Sequence, residues 1–129
     1  MEQDRYQRGW EKLGEINADA RRSLLEAVEG VAPDLARYVI EFAFGDVLSR
    51  PGLDLRAREI ATVAALTALG NAEPQLSAHL HSALAVGCTR TELVEVIVQM
   101  VVYAGFPAAL NAIAVAKAVF ADRDARGLS

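Results

Sequence analysis

The chain has 129 residues, 53% of them hydrophobic and 23% charged, with a net charge of −4. That length suits one domain, residues 1–129, and no basic run beyond Arg21-Arg22 occurs, which argues against a nucleic-acid binder. The apolar share is slightly above that of an ordinary soluble domain, and a domain this small has a high surface-to-volume ratio, so some apolar surface is expected to meet another subunit.

The opening MEQDRYQRGW is charged and lacks an apolar h-region, so no secretory signal is expected. The single cysteine, Cys88, excludes an intramolecular disulfide and fits a reduced, cytoplasmic setting. The uncharged run Ile60–Ala72 contains two threonines and is too short to span a bilayer, so no membrane association is expected.

In chain order, residues 2–16 read as a polar amphipathic helix with Tyr6, Trp10 and Leu13 about one turn apart. A short helix is expected around Arg22–Glu29. Pro33 suits the first turn of the next helix, which is apolar on one side through Leu35, Val39, Phe42 and Val47. SRPG at 49–52 is a turn. Asp54 can cap a helix over 55–69, closed at Gly70. Pro74 opens a helix that Gly87 ends. Thr89 and Glu92 fit a capping box, and the helix behind it stops at Gly105. Pro107 starts a last helix, running to about Ala121. The Val/Ile-rich run 93–102 has strand propensity, but its cap and helical neighbours favour helix. Short connections between several helices imply a compact helical bundle.

The helix 74–87 carries both histidines of the chain. Each residue turns about 100° in a helix, so His79 and His81 point about 200° apart and cannot share one metal; a helical zinc pair needs H-E-x-x-H spacing. No metal site is expected. Leu76, Leu80, Ala83 and Leu84 form the apolar stripe. His79 flanks it beside Leu76, Ala83 and Val86, while His81 lies further out near Ser77 and Ala85. His79 is therefore the candidate for a partly buried role, with a packed histidine bonded to a backbone carbonyl as the alternative.

Glu59 shares a face with Leu55, Thr62, Val63 and Leu66. A carboxylate on an apolar stripe is costly unless paired or protonated, and desolvation makes it a candidate general acid or base. The alternative is a salt bridge with Arg56, Arg58 or another arginine. Glu92, Glu95, Gln99 and Tyr103 form a polar row, read as a solvated or subunit-facing edge. Asn111, within PAALNAIAVAKAVF, is expected to be buried and to hold a helix junction or a ligand, the junction being favoured. Cys88, with no neighbouring thiol or base, reads as structural.

The runs GDVLSRPGLDLRAREIATVAALTALG and AHLHSALAVGCTRTELVEVIVQMVVYAGFPAALNA resemble the carboxymuconolactone decarboxylase family, and RYQRGWEKLGEI resembles the opening of its decarboxylases. The resemblance rests on RPGLD, the R-x-R-E after it, the histidine, G-x-T-x-x-E-L and YAGFPAALNA in combination, and covers nearly the whole chain. It implies an all-α fold, a compact helical bundle of the alkylhydroperoxidase-like type, assembled into trimers or hexamers. The thiol-dependent alkylhydroperoxidase relatives use a carboxylate, a C-x-x-C pair and a histidine. Glu59 matches the carboxylate and His79 the histidine, but the cysteine pair falls near Asn71 and Pro74, where this chain has no thiol.

The resemblance also implies a reaction: 4-carboxymuconolactone loses carbon dioxide to give the 3-oxoadipate enol-lactone. The unsaturated lactone is the electron sink, so no cofactor is needed. The enzyme must hold the side carboxylate, desolvate the leaving one, stabilise the lactone oxygen and protonate the ring carbon. His79 is then the acid or the donor to the lactone oxygen, and Glu59 orients His79 or relays the proton. Arg58 or Arg56 anchors a substrate carboxylate in fork geometry. The implied partners are a small-molecule substrate and further copies of the chain. Two other classes stay open: an antioxidant alkylhydroperoxidase or peroxiredoxin-like enzyme, and a catalytically silent oligomeric ligand-binding protein.

Overall fold

The computed structural model describes residues 4–129; the expected helix start at residue 2 lies outside them. Every regular element among the described residues is a helix, with no strand: α1 (Arg5–Asn17), α2 (Asp19–Val28), α3 (Pro33–Tyr38) continuing into a π-helical segment (Val39–Val47), α4 (Leu55–Leu69), α5 (Glu73–Ala85), α6 (Arg90–Ala104) and α7 (Phe106–Ala125). The all-helical expectation holds, and α7 runs about a turn past Ala121. The chain forms two compact units, Met1–Leu55 and Arg56–Ser129.

In the first unit, α1 packs on the π-helical segment through glycine. A Cβ on Gly9 would sit 1.8 Å from the Ile40 carbonyl oxygen, and one on Gly45 would sit 2.5 Å from the Arg5 carbonyl oxygen. Only residues without a side chain let the two backbones come this close. The wide turn has side chains on its carbonyls. Ser49 Oγ donates to Phe44 O at 2.6 Å and Arg8 Nε to Gly45 O at 2.7 Å, while Leu48 N closes a five-residue ring onto Ala43 O. Arg5 clamps Asp46 through Nε and Nη2, the shortest contact being 2.7 Å, and Arg8 adds a 3.2 Å contact.

Leu13 and Ile16 are buried, whereas Trp10 is half-buried and stacks with Tyr6. Arg21 of α2 crosses α1 to donate to Trp10 O at 2.7 Å, its guanidinium lying over the indole. The expected apolar side of the third helix is corrected. Leu35, Phe42 and Val47 are exposed, while Ala36, Ile40 and Phe44 face inward. The stripe is off the core face from its start, since Leu35 lies in the α-helical part and is already exposed while Ala36 beside it is buried; past Tyr38 the hydrogen bonds run over five residues and a period of 3.6 no longer applies.

The second unit is built on a core of Val63, Leu76, Leu80, Ala83, Leu84, Leu93 and Ile97 with the alanine stripe of α7. The capping box of α6 is present: Glu92 N donates to Thr89 Oγ1 at 3.0 Å, and Thr89 N donates to Glu92 Oε1 at 2.9 Å. Gly105 alone separates α6 from α7, at φ 88°, a conformation that favours glycine. The uncharged stretch 96–116 is longer than Ile60–Ala72, but Gly105 and Pro107 break it. No helix among the described residues is long and apolar enough to cross a membrane.

Two outcomes are expected for the first unit. Gly9→Ala destabilises it by about 1–3 kcal/mol, the usual cost of forcing atoms into a filled contact, read by urea denaturation. Asp46 is held below its ordinary value by its hydrogen bond to Arg5. A depressed carboxylate contributes stability above its unfolded value, and that stability is lost as pH falls through the folded one. Acid unfolding followed by circular dichroism should therefore be less pH-dependent below about pH 4 in Asp46→Asn than in the wild type.

Candidate active site

Helix α4 turns Glu59, Val63 and Thr67 inward at four-residue intervals. Glu59 is only 1% exposed. Its Oε2 lies 3.0 Å from Nδ1 of His79 on α5, so the structure joins the two residues that the sequence singled out. The partner of Glu59 is thus an imidazole rather than an arginine. A carboxylate can only accept, so against ionised Glu59 the Nδ1–H is the donor. Nε2 is then the ring's second proton-handling atom, and the His79 side chain, 25% exposed, reaches solvent. The other oxygen, Oε1, is buried without a hydrogen-bond partner, which leaves an acceptor inside the fold with capacity to spare.

Arg56 forms an ion pair with Glu92, the glutamate of the α6 capping box, and its carbonyl accepts a weak contact from Cys88 Sγ at 3.7 Å. Arg58 is half-buried beside Glu59 in the chain, and its carbonyl accepts from Thr62 Oγ1 at 2.9 Å. Cys88 is buried. Asn111 corrects its expected burial. It lies at the junction of α4, α5 and α7, on the edge of a cavity of about 10 Å³, but on the exposed side of α7.

His81 faces another way. Its Nδ1 is 3.3 Å from Arg123 Nη1 and its Nε2 is 3.7 Å from Asp122 Oδ2. Arg123 was not foreseen. It is 7% exposed, and burial lowers its pKa from the ordinary arginine value. The signal was its spacing, since Arg123 continues the buried stripe Ala112, Ala116, Val119 of α7. An open cavity of about 590 Å³ in the first unit has Arg5, Arg37 and Glu41 in its lining. Those charges already pair among themselves or with Asp46, so the buried acid–imidazole pair is the better candidate for chemistry. Among the described residues no group of three or more His, Cys, Asp or Glu could hold a metal.

The family model of the carboxymuconolactone decarboxylase family matches residues 33–118. Over 123 residues the chain is 37% identical to 4-carboxymuconolactone decarboxylase of Acinetobacter baylyi, covering 94% of this chain and 90% of that protein. It is 35% identical to an uncharacterized 15.0 kDa protein of Paracoccus denitrificans over 123 residues, 95% of this chain and 92% of that one. It is 30% identical to nitrosuccinic acid decarboxylase of Metarhizium robertsii over 89 residues, 69% of this chain and 62% of that protein.

With one buried thiol, a dithiol cycle within a chain has no resolving partner. Cys88→Ser should leave turnover nearly unchanged. A large loss with the circular dichroism spectrum intact would return the thiol to the chemistry.

Proposed function

The chain belongs to the carboxymuconolactone decarboxylase family, and on that premise we propose that it is a cofactor-free carboxy-lyase. Its substrate is 4-carboxymuconolactone, converted to the 3-oxoadipate enol-lactone, or a similar small lactone or ring acid. The observation that carries this reading is the 3.0 Å contact between His79 Nδ1 and a carboxylate that is 1% exposed. Two relatives bear decarboxylase names for dissimilar acids, which supports decarboxylation as the common step.

In the proposed reaction the bond from the ring to the departing carboxylate breaks. Its electron pair enters the unsaturated lactone as carbon dioxide leaves. One proton is then delivered to a ring carbon, which balances the charge. His79 supplies that proton from Nε2, or first donates it to the lactone oxygen. Glu59 fixes the ring and stabilises the imidazolium through Nδ1, as a buried acceptor held in place before the reaction starts. Arg58 anchors the substrate's side carboxylate. Arg56 does so only by exchanging Glu92 for the substrate. The enzyme acts as a cytoplasmic homo-oligomer, a trimer or hexamer, in keeping with the apolar surplus of the sequence. An antioxidant role is disfavoured by the single buried cysteine.

The test follows 4-carboxymuconolactone loss by ultraviolet absorbance. A positioned acid or base is worth about 10²–10⁴-fold in rate. His79→Ala should therefore lower turnover by roughly that factor, and His81→Ala by less than about tenfold. Glu59→Gln keeps the shape and removes the charge. Loss of turnover with an unchanged melting temperature assigns Glu59 to the reaction; unfolding assigns it to structure. Wild-type protein without activity on this lactone or on related ring acids would end the proposal.

A further inference from the structure

The tip of the α6–α7 hairpin is apolar and uncovered. Val102, Tyr103, Phe106 and Leu110 are 64–76% exposed. Val98 extends the patch along α6 and Ile113 along α7. The end of α4 meets α7 here, since a Cβ on Gly70 would touch Ala108, and Leu69 beside it is exposed as well. These side chains present on the order of 700 Å² per copy, more than the roughly 300–600 Å² patch of an ordinary monomer. That is close to the area of about 800 Å² that each partner brings to a standard interface.

The chemistry of the patch selects its occupant. No charged residue lies in 96–116, so nothing there steers a charged peptide. The nearest flanking charges in sequence, Glu95 and Lys117, are of opposite sign. A membrane-seeking face needs a basic surround, and this chain carries a net charge of −4. An uncharged surface with a protruding tyrosine and phenylalanine, bordered by one charge of each sign, has the composition of the core of a homo-oligomer interface. It is its own complement across a two-fold axis.

We infer that the α6–α7 tip is where a second copy of this chain docks, with Val102, Tyr103, Phe106 and Leu110 as the buried anchors. This rests on the homo-oligomer of the proposed function and names its contact surface.

The experiment is gel filtration with light scattering at micromolar concentrations of the full chain. Val102→Glu and Leu110→Glu place a charge at exposed positions, so the monomer core is left intact, as circular dichroism would verify. Both variants should run at a smaller mass than the wild type. Their subunit association should be weakened roughly thirtyfold or more, the effect of losing an anchor residue. Val31→Glu, at a position 90% exposed in the first unit, should keep the wild-type mass. If the wild type is a monomer, the homo-oligomer itself fails and the inference with it. If the wild type is oligomeric and both glutamate variants keep its mass while Phe42→Glu dissociates, the inference alone is overturned and the contact lies on the π-helical face. Monomeric wild type that floats with phosphatidylglycerol vesicles would assign the tip to membrane instead.

Discussion

The second unit depends on a carboxylate it has taken out of water. Glu59 opens the inward stripe of α4, which continues through Val63 and Thr67. An unpaired ionised group there would cost several kcal/mol. The 3.0 Å contact to His79 offsets that cost and joins α4 to α5. The site and the core are therefore not separable in this unit: the interaction that makes a buried acid tolerable also sets the tautomer of His79. Substituting either partner leaves the other without its match inside the fold, which is why charge and shape must be changed independently to read the role of Glu59.

The first unit solves a different problem with the same economy of side chains. Its backbones touch at Gly9 and Gly45, so at these two points the contact is peptide against peptide. The wide turn that results frees carbonyls from the ordinary helical ladder, and Arg8 and Ser49 supply donors to Gly45 and Phe44. The ion pairs of Arg5 and Arg8 with Asp46 lie at the exposed rim. Pairs this exposed contribute little each; what they add is register, holding α1 where the glycines can meet the π-helical segment.

Much of this was readable from local signals. Prolines, glycines and the Thr89/Glu92 box bounded α4 to α7 within a few residues, because those signals act through backbone geometry within one turn. The inward residues of α5 followed from periodicity, and so did the separation of His79 from His81. The π-helical segment was not legible, since its cause is a close approach between residues far apart in sequence and not a local preference. The exposure of Asn111 was not legible either, since burial of a polar residue depends on what packs over it from elsewhere in the fold. Arg123 went unnoticed because a charge closing an apolar stripe looks like the stripe's end until the partner on α5 is known. The Glu59–His79 pair was anticipated through family resemblance and through the incongruity of a charge on an apolar face; spacing alone could not have joined residues from two helices.

The two histidines show how the partner sets the hydrogen-bonding sense of an imidazole. Both lie on α5, two residues apart and on different flanks. His79 meets a carboxylate, which can only accept, so its ring is held as a donor at Nδ1. His81 meets a guanidinium, which can only donate, so its Nδ1 is held as an acceptor, with Asp122 near the opposite nitrogen. The contact of His79 joins α5 to α4, and the contacts of His81 join α5 to the end of α7. One helix thus holds two imidazoles in opposite hydrogen-bonding senses, and the charge of the partner on the adjoining helix determines which is which.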